Sequence, residues 1–169
     1  MCDDVAMRRF GFVYNPTNDL AQEAWDEAAG WCAANGVECW GHAAEEVAAV
    51  RSALPGTEVL ISFGGDGTFL RAASSVAGTT TPLLGVNLGK IGFLARAEAF
   101  QVEATLDALH AKRWTTQPRM ALRATIHYGD GRTEQLDALN DVVVVGGAGL
   151  EGELDRLLAL ADRVPAVAG

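Results

Sequence analysis

The chain has 169 residues, of which 49% are hydrophobic and 21% are charged. This balance indicates a folded globular protein of one or two domains and excludes an intrinsically disordered chain. The formal net charge of −9 argues against unspecific binding to nucleic acid or to an anionic membrane surface, because both need basic patches.

The cysteines and the apolar runs indicate a cytoplasmic protein. Cys2, Cys32 and Cys39 are odd in number and lack C-x-x-C spacing, so they suggest neither a disulfide framework nor a zinc site. Free thiols of this kind fit a reducing compartment. No apolar stretch reaches the roughly 18 residues of a membrane span. Residues 1–9 lack the apolar core of an export signal.

The first two thirds of the chain alternate between strand and helix patterns. This alternation predicts an α/β domain with a parallel sheet, in which ligands gather at the carboxyl ends of the strands. Strands are predicted over 10–14, 37–40, 58–63 and 82–87, and helices over 19–34, 43–54, 68–76 and 99–112.

Capping residues mark the ends of these helices. Asn18 or Asp19 is expected to cap the first helix, and Gly36 is expected to end it. Thr68 is expected to cap the third helix, because its hydroxyl suits the N-terminal position.

Beyond Trp114 the period changes from helical to alternating, which predicts antiparallel sheet. The triplet Gly129-Asp130-Gly131 is a hairpin signal between two such strands. We therefore predict an α/β domain over 1–114, followed over 115–169 by the start of an all-β, sandwich-like domain. Its strands are predicted over 122–128, 135–139 and 142–145, with one more hairpin formed by 157–161 and 165–168 around a turn at 162–164; residues 153–162 also fit a short helix.

A glycine-rich turn, Gly64-Gly65-Asp66-Gly67-Thr68, follows the third predicted strand. Glycines admit left-handed backbone angles and leave main-chain N–H groups uncovered, so a phosphate can lie against them at the start of a helix. A carboxylate repels phosphate, so Asp66 is better explained as a group that accepts a proton from a substrate hydroxyl or helps to hold a metal. The turn suggests phosphoryl transfer, although a Gly-Asp-Gly turn can also be a simple chain reversal.

A second glycine-rich stretch follows the next predicted strand. Gly85, Gly89 and Gly92 keep side chains away from that strand's end, so the two glycine-rich loops are expected to converge on one cleft. Neither loop matches G-x-x-x-x-G-K-[ST] or G-x-G-x-x-G, which indicates a nucleotide site of another kind.

Three segments together resemble the NAD kinase (ATP-NAD kinase) family: Gly64–Thr68, Gly85–Leu94 and Leu139-Asn140-Asp141, in this order. Diacylglycerol and sphingosine kinases, and more loosely phosphofructokinases, resemble the Gly-Gly-Asp-Gly part but do not usually continue with the second segment. The resemblance extends from Phe10 onward, includes Asn15-Pro16, and implies an α/β domain followed by a β-rich domain.

The resemblance implies transfer of the γ-phosphate of ATP, or of polyphosphate, to the 2′-hydroxyl of the adenosine ribose of NAD, giving NADP. It also implies a divalent metal, with Mg²⁺ expected, NAD and ATP as partners, and a homo-oligomer for a full-length member. The metal ligands are left unassigned.

The same resemblance suggests roles for individual residues. Asp66 would be the base that accepts the proton of the ribose hydroxyl. Phe93 would pack near the adenine, although by itself it fits plain core, and Asn140 with Asp141 would hydrogen-bond NAD, although they also fit a strand start. The remaining expected site residues are Gly64, Gly65, Gly67 and Thr68 around ribose and phosphates, and Asn87 in the same cleft.

The family continues after the last predicted hairpin into a Thr-Pro-Thr-Gly-Ser-Thr-Ala-Tyr stretch and further strands, which are not in this sequence. The chain therefore resembles a member cut within its second domain, and by itself it is expected to be inactive or weakly active. Two alternatives stay open: a nucleotide-binding module without catalysis, and a relative of the lipid kinases.

Overall fold

The structure is a computed structural model that describes residues 9–88, 97–98, 102–119, 121–139 and 160–164. The chain divides into two compact units, with the boundary between Thr116 and Gln117. Among the described residues, each unit contains one sheet, and the two sheets differ in strand direction.

The first unit is built on a five-stranded parallel sheet, which confirms the predicted α/β class. The strand order is β2-β1-β3-β4-β5. The shortest strand, β5, was not predicted, and it pairs with the end of β4. The elements are β1 (Arg9–Tyr14), α1 (Asp19–Asn35), β2 (Glu38–Ala43), α2 (Val47–Ala53), β3 (Val59–Phe63), α3 (Asp66–Val76), β4 (Leu83–Asn87), β5 (Ala97–Glu98) and α4 (Val102–His110).

The central strands β1 and β3 of the first unit's sheet are covered on both faces, and most of their residues are therefore apolar. All five residues of β3 are buried, as expected for a central parallel strand covered by helices on either side. Phe12 and Ile61 belong to the cluster that α1 and α4 cover. Val13 and Leu60 belong to the opposite cluster, which α2 and α3 cover. Successive residues of each strand thus supply two separate cores.

Large aromatic side chains fill the spaces beside the sheet. The Trp40 ring lies over Gly11, where an added Cβ would come within 2.4 Å of its Cζ2 atom. The Trp31 indole donates a hydrogen bond from Nε1 to Asp107 Oδ1 at 3.0 Å, which joins α1 to α4. Trp25 stacks on Tyr14 with 5.8 Å between ring centroids. These three tryptophans are packing residues.

The predicted limits of α1 are confirmed. Asn18 Oδ1 accepts a hydrogen bond from the Leu20 amide at 3.1 Å, so Asn18 is the N-cap. Gly36 takes φ of +66°, and its amide donates to Cys32 O, which ends the helix. None of the helices among the described residues is long and apolar enough to cross a membrane.

The boundary between β2 and α2 differs from the prediction. The alanine-rich segment from Ala43 was predicted to be helical, but β2 extends to Ala43 and α2 begins only at Val47. Pairing with β1 holds this segment extended: Ala43 lies opposite Tyr14, and the Ala44 amide donates to Tyr14 O at 2.9 Å. A long-range ladder thus overrides a local helix preference.

The second unit contains an antiparallel sheet with the order β7-β6-β8, which confirms antiparallel pairing beyond the α/β domain. Its hairpin turn is closed by a hydrogen bond from the Tyr128 amide to Arg132 O at 2.9 Å, and Gly131 takes φ of +85°. The strands are β6 (Ala121–His127), β7 (Thr133–Ala138) and β8 (Leu160–Val164).

The turn predicted at 162–164 is wrong, because these residues belong to β8. Asp162 and Arg163 lie opposite Arg123 and Leu122 of β6, so backbone pairing keeps them extended. The strand predicted over 142–145 lies outside the described residues, as do 157–159 and 165–168.

Candidate functional site

The strand order defines one preferred ligand crevice in the parallel sheet. From β1 the chain passes first to β2 on one side and then to β3 on the other, so the topology switches between β1 and β3. In open parallel sheets, ligands bind outside the carboxyl ends of the strands at such a switch point. The loops that follow β1 and β3 therefore flank the crevice.

The turn after β3 begins with a glycine that no other residue replaces without strain. Gly64 is buried, and its amide donates to Val86 O at 3.1 Å, which continues the pairing of β3 with β4. Its φ is +153°, and an added Cβ would lie 2.5 Å from Thr68 Oγ1. Backbone angle and close packing both require glycine here. The start of α3 is thereby fixed against the end of the sheet.

The predicted cap of α3 is wrong. The helix begins at Asp66 rather than at Thr68, its N-cap is Gly65, and no side chain caps it. Thr68 is the third helical residue, is buried, and packs its side chain against Gly64. Since the cap residue is a glycine, it has no side chain to cover the N-terminal amides, and an anion can approach them. Thr68 therefore shapes the turn from behind.

Asp66 is the acidic residue of this turn and the first residue of α3. It is half-buried, and its negative charge lies at the positive end of the helix dipole. Gly65 and Gly67 on either side are exposed, and an added Cβ would meet no atom within 4 Å at Gly65. The arrangement places a carboxylate between two positions that lack side chains, where a hydroxyl-bearing ligand can approach it.

The end of β4 lies at the same edge of the sheet as this turn. Phe63 and Val86 are partners in the β3–β4 ladder, so Asn87 follows at the level of Gly64. Asn87 is half-buried, and its backbone pairs with Glu98 of β5.

The described residues therefore bring together six of the predicted site positions: Gly64, Gly65, Asp66, Gly67, Thr68 and Asn87. The other three, Phe93, Asn140 and Asp141, lie outside the described residues, as do Gly89 and Gly92.

The loop after β1 supplies a residue that the sequence-based site did not include. Asn15 Oδ1 accepts hydrogen bonds from the Thr17 amide at 3.0 Å and from Thr17 Oγ1 at 2.9 Å. These bonds fix the side-chain oxygen within the loop and leave the amide nitrogen to donate elsewhere. Asn15-Pro16 was visible as a strand terminator, but only the strand order shows that it borders the switch point.

The described residues contain no group of three or more His, Cys, Asp or Glu side chains that could hold a metal ion. Mg²⁺ does not require such a group when it is carried by phosphate oxygens and water, because one or two carboxylates then suffice. Asp66 is the carboxylate that this turn offers.

Sequence comparisons assign the first unit to a known family. The model of the ATP-NAD kinase N-terminal domain matches residues 4–114. NAD kinase of Mycobacterium bovis is 38% identical over 128 residues, which are 76% of this chain and 42% of that protein. NAD kinase of Nitratidesulfovibrio vulgaris is 36% identical over 137 residues, 80% of this chain and 46% of that protein. The chain thus spans less than half the length of these relatives.

A solved structure has the same fold. The crystal structure of yeast NADH kinase complexed with NADH matches 81% of this chain and 45% of its own, with a TM-score of 0.64 and 16% sequence identity. This likeness supports the α/β architecture followed by antiparallel sheet. The family match over residues 4–114 covers more than half of the sequence. The chain belongs to the NAD kinase family.

Proposed function

We propose that the protein carrying this chain is an NAD kinase, which transfers the γ-phosphate of ATP, or a phosphate of polyphosphate, to the 2′-hydroxyl of the adenosine ribose of NAD. The product is NADP. The observation that carries the proposal is the position of Asp66, a carboxylate that begins α3 between exposed glycines at the carboxyl end of β3. Because the chain matches less than half of its relatives' length, the activity is proposed for the longer protein.

Asp66 is assigned the role of general base. Its carboxylate accepts the proton of the 2′-hydroxyl as the ribose oxygen forms a bond to phosphorus and the bond to the ADP leaving group breaks. A base for this step must approach the hydroxyl closely, and the absence of side chains at Gly65 and Gly67 permits that approach. Removing the carboxylate while keeping its shape should therefore lower turnover more than NAD affinity.

The phosphates are assigned to the start of α3. Main-chain amides at a helix N-terminus bind phosphate, and Gly65 provides no side-chain cap that would compete. Mg²⁺ bound to the phosphates would neutralise part of their charge, which would offset the repulsion between the Asp66 carboxylate and the nucleotide.

The remaining residues are assigned to NAD. Asn87 offers a side-chain amide at the carboxyl edge of β4, next to the turn. Phe93 is assigned to packing near the adenine, and Asn140 with Asp141 to hydrogen bonds with NAD, as their places in the family's motifs suggest.

The test is formation of NADP from NAD, ATP and magnesium by this chain and by a version extended to the length of its relatives. We expect clear activity in the longer version, and replacement of ATP by polyphosphate identifies the donor. A second arm offers diacylglycerol or a sphingoid base as the acceptor. Phosphorylation of a lipid without formation of NADP would contradict the proposal and favour a lipid kinase. Nucleotide binding without turnover in either version would favour a non-catalytic module.

A further inference from the structure

An arginine side chain lies against the glycine-rich turn. Arg71 belongs to α3, where it follows Asp66 by five residues, and it is exposed. Its Nη1 atom lies 3.9 Å from the position that a Cβ on Gly67 would occupy. Residues four apart share a helix face, and helical side chains lean toward the N-terminus, so the guanidinium lies over the first turn of α3. A positive charge is thereby held beside the turn that carries Asp66.

Other arginines of the first unit hold parts of the fold together. Arg9 Nε donates to Glu38 Oε1 at 3.1 Å, and Arg51 Nη2 donates to Ser74 O at 2.7 Å. In the part of the chain that the structure describes, no ion pair or hydrogen bond involves the guanidinium of Arg71. The fold of the described residues therefore does not depend on this charge, and its removal from an exposed position should change stability little.

A phosphoryl donor needs positive charge at the candidate site. The chain has a formal net charge of −9, and the turn itself carries the Asp66 carboxylate. ATP or polyphosphate would bring several more negative charges to the same turn. The guanidinium of arginine is always charged and offers five N–H donors in a planar fork that matches phosphate oxygens. Arg71 therefore has both the charge and the geometry to bind a phosphate.

The proposed reaction indicates which phosphate lies nearest to this turn. For transfer, the γ-phosphorus of the donor must lie next to the 2′-hydroxyl of the ribose, and that hydroxyl must lie within hydrogen-bond distance of Asp66. The diphosphate of NAD is attached at the 5′ carbon, across the ribose ring from the 2′-hydroxyl. The phosphate that comes closest to Asp66 and to the neighbouring Gly67 is therefore the donor's.

We propose, on the basis of the proposed function, that Arg71 binds the terminal phosphates of the phosphoryl donor and thereby sets the affinity for that donor. The guanidinium beside Gly67 is within reach of a phosphate that lies against the main-chain amides at the start of α3. Arg71 and Asp66 then divide the site between them. Arg71 contacts the donor, and Asp66 contacts the acceptor hydroxyl.

The test measures how donor affinity depends on Arg71 in the full-length protein. Arg71→Gln removes the charge, and Arg71→Lys keeps the charge without the planar fork. Binding of ATP with magnesium and binding of AMP are measured by titration calorimetry without NAD, and the KM values for ATP and NAD are measured by formation of NADP. We expect Arg71→Gln to weaken ATP binding and to raise the KM for ATP by roughly tenfold, because a charge-assisted hydrogen bond is lost. Arg71→Lys should lie between the two, with AMP binding and the KM for NAD unchanged.

Arg113→Gln is the matched control for the loss of one positive charge. Arg113 is also exposed, and it follows α4, whose His110 packs edge-on against Trp31 with 5.7 Å between ring centroids. Trp31 in turn stacks on Phe10 at the start of β1. Arg113 therefore lies toward the amino ends of the strands, away from the glycine-rich turn, and its substitution should leave ATP binding unchanged.

The outcomes separate this proposal from the proposed function. An active Arg71→Gln protein with the KM for ATP of its parent would overturn the role of Arg71. A rise in the KM for NAD alone would also overturn it, because Arg71 would then contact the acceptor. An equal loss of ATP binding in Arg113→Gln would show a general effect of charge and would likewise overturn it. Absence of NADP formation by the unsubstituted full-length protein would instead contradict the proposed function, and the ATP and AMP titrations would still decide the role of Arg71.

Discussion

The two units of this chain bury their strands to very different degrees. Every residue of β3 in the first unit is buried, whereas β6 in the second unit has one buried residue, Ala124, among its seven. In the described part of the second unit, Leu136 and Tyr128 are 42% and 38% exposed. The first unit carries its own core on both faces of its sheet, and the candidate site rests on that core. The glycine-rich turn can therefore be held rigidly by β3 and β4.

The largest expected effect is a difference in stability between two Leu→Ala substitutions, one in each unit. Leu60 in β3 is fully buried, and Leu60→Ala should cost about 2–5 kcal/mol of stability. Leu122 in β6 is only half-buried, so Leu122→Ala should cost about 1 kcal/mol. Equal losses of stability at the two positions would contradict the difference in burial between the units.

Tryptophan fluorescence separates the units in this experiment, because Trp25, Trp31, Trp40 and Trp114 all belong to the first unit. Denaturant unfolding followed by this signal should shift strongly for Leu60→Ala and little for Leu122→Ala. Far-ultraviolet circular dichroism, which reports both sheets, should show the loss in the second variant.

Two glycines with positive φ, one in a turn of each unit, allow the same comparison of stability to be made for turns. Gly64→Ala should cost about 3 kcal/mol, because the new Cβ meets both an unfavourable angle and the Thr68 side chain. Gly131→Ala in the hairpin should cost roughly 1–2 kcal/mol, since its φ is positive but no atom lies within 4 Å of the added Cβ.

Gly65→Ala is the control for the first substitution. Its φ is −87° and the space around it is open, so the stability should change by less than about 1 kcal/mol. Denaturant unfolding measures all three. A Gly64→Ala protein as stable as Gly65→Ala would show that the turn is not held as described.

The smallest expected effect is a titration in the second unit. The Tyr128 hydroxyl donates to Glu134 Oε2 at 2.7 Å, and this bond raises the pKa of Tyr128 above its usual value near 10. Because the folded pKa is the higher one, the neutral hydroxyl adds stability below about pH 10, and this contribution is lost as the pH rises through the folded pKa.

Tyrosinate absorbance in a Tyr14→Phe background reports Tyr128 alone, as the chain has two tyrosines. Glu134→Ala should move the pKa of Tyr128 back toward 10. An unchanged titration would contradict the hydrogen bond between Tyr128 and Glu134. Because both residues are solvent-exposed, the bond should have little influence on overall stability.

The parts of the fold that local chemistry controls were predictable from the sequence. Asn18 and Gly36 limit α1 as expected, because capping depends on neighbouring residues alone. The extension of β2 to Ala43 and the strand at 162–164 were not predictable, since both depend on pairing with strands distant in sequence.

The candidate site likewise has features that neighbouring residues determine and features that depend on tertiary packing. The glycine-rich turn and Asp66 stand out from residue types, but the cap assigned to Thr68 was wrong, because packing against Gly64 decides where α3 begins. Asn15 becomes a candidate site residue only when the strand order is known, and no local sequence pattern gives that order.

The most direct test of the central claim is the turnover of Asp66→Asn in the full-length protein. Asp19→Asn is the matched control, because Asp19 also begins a helix and loses the same dipole contact, about 0.3–1 kcal/mol of stability. We expect Asp66→Asn to lower kcat by roughly 10²–10⁴-fold with NAD binding retained, and Asp19→Asn to keep its activity. Near-normal kcat in Asp66→Asn would contradict the role of Asp66 as the base.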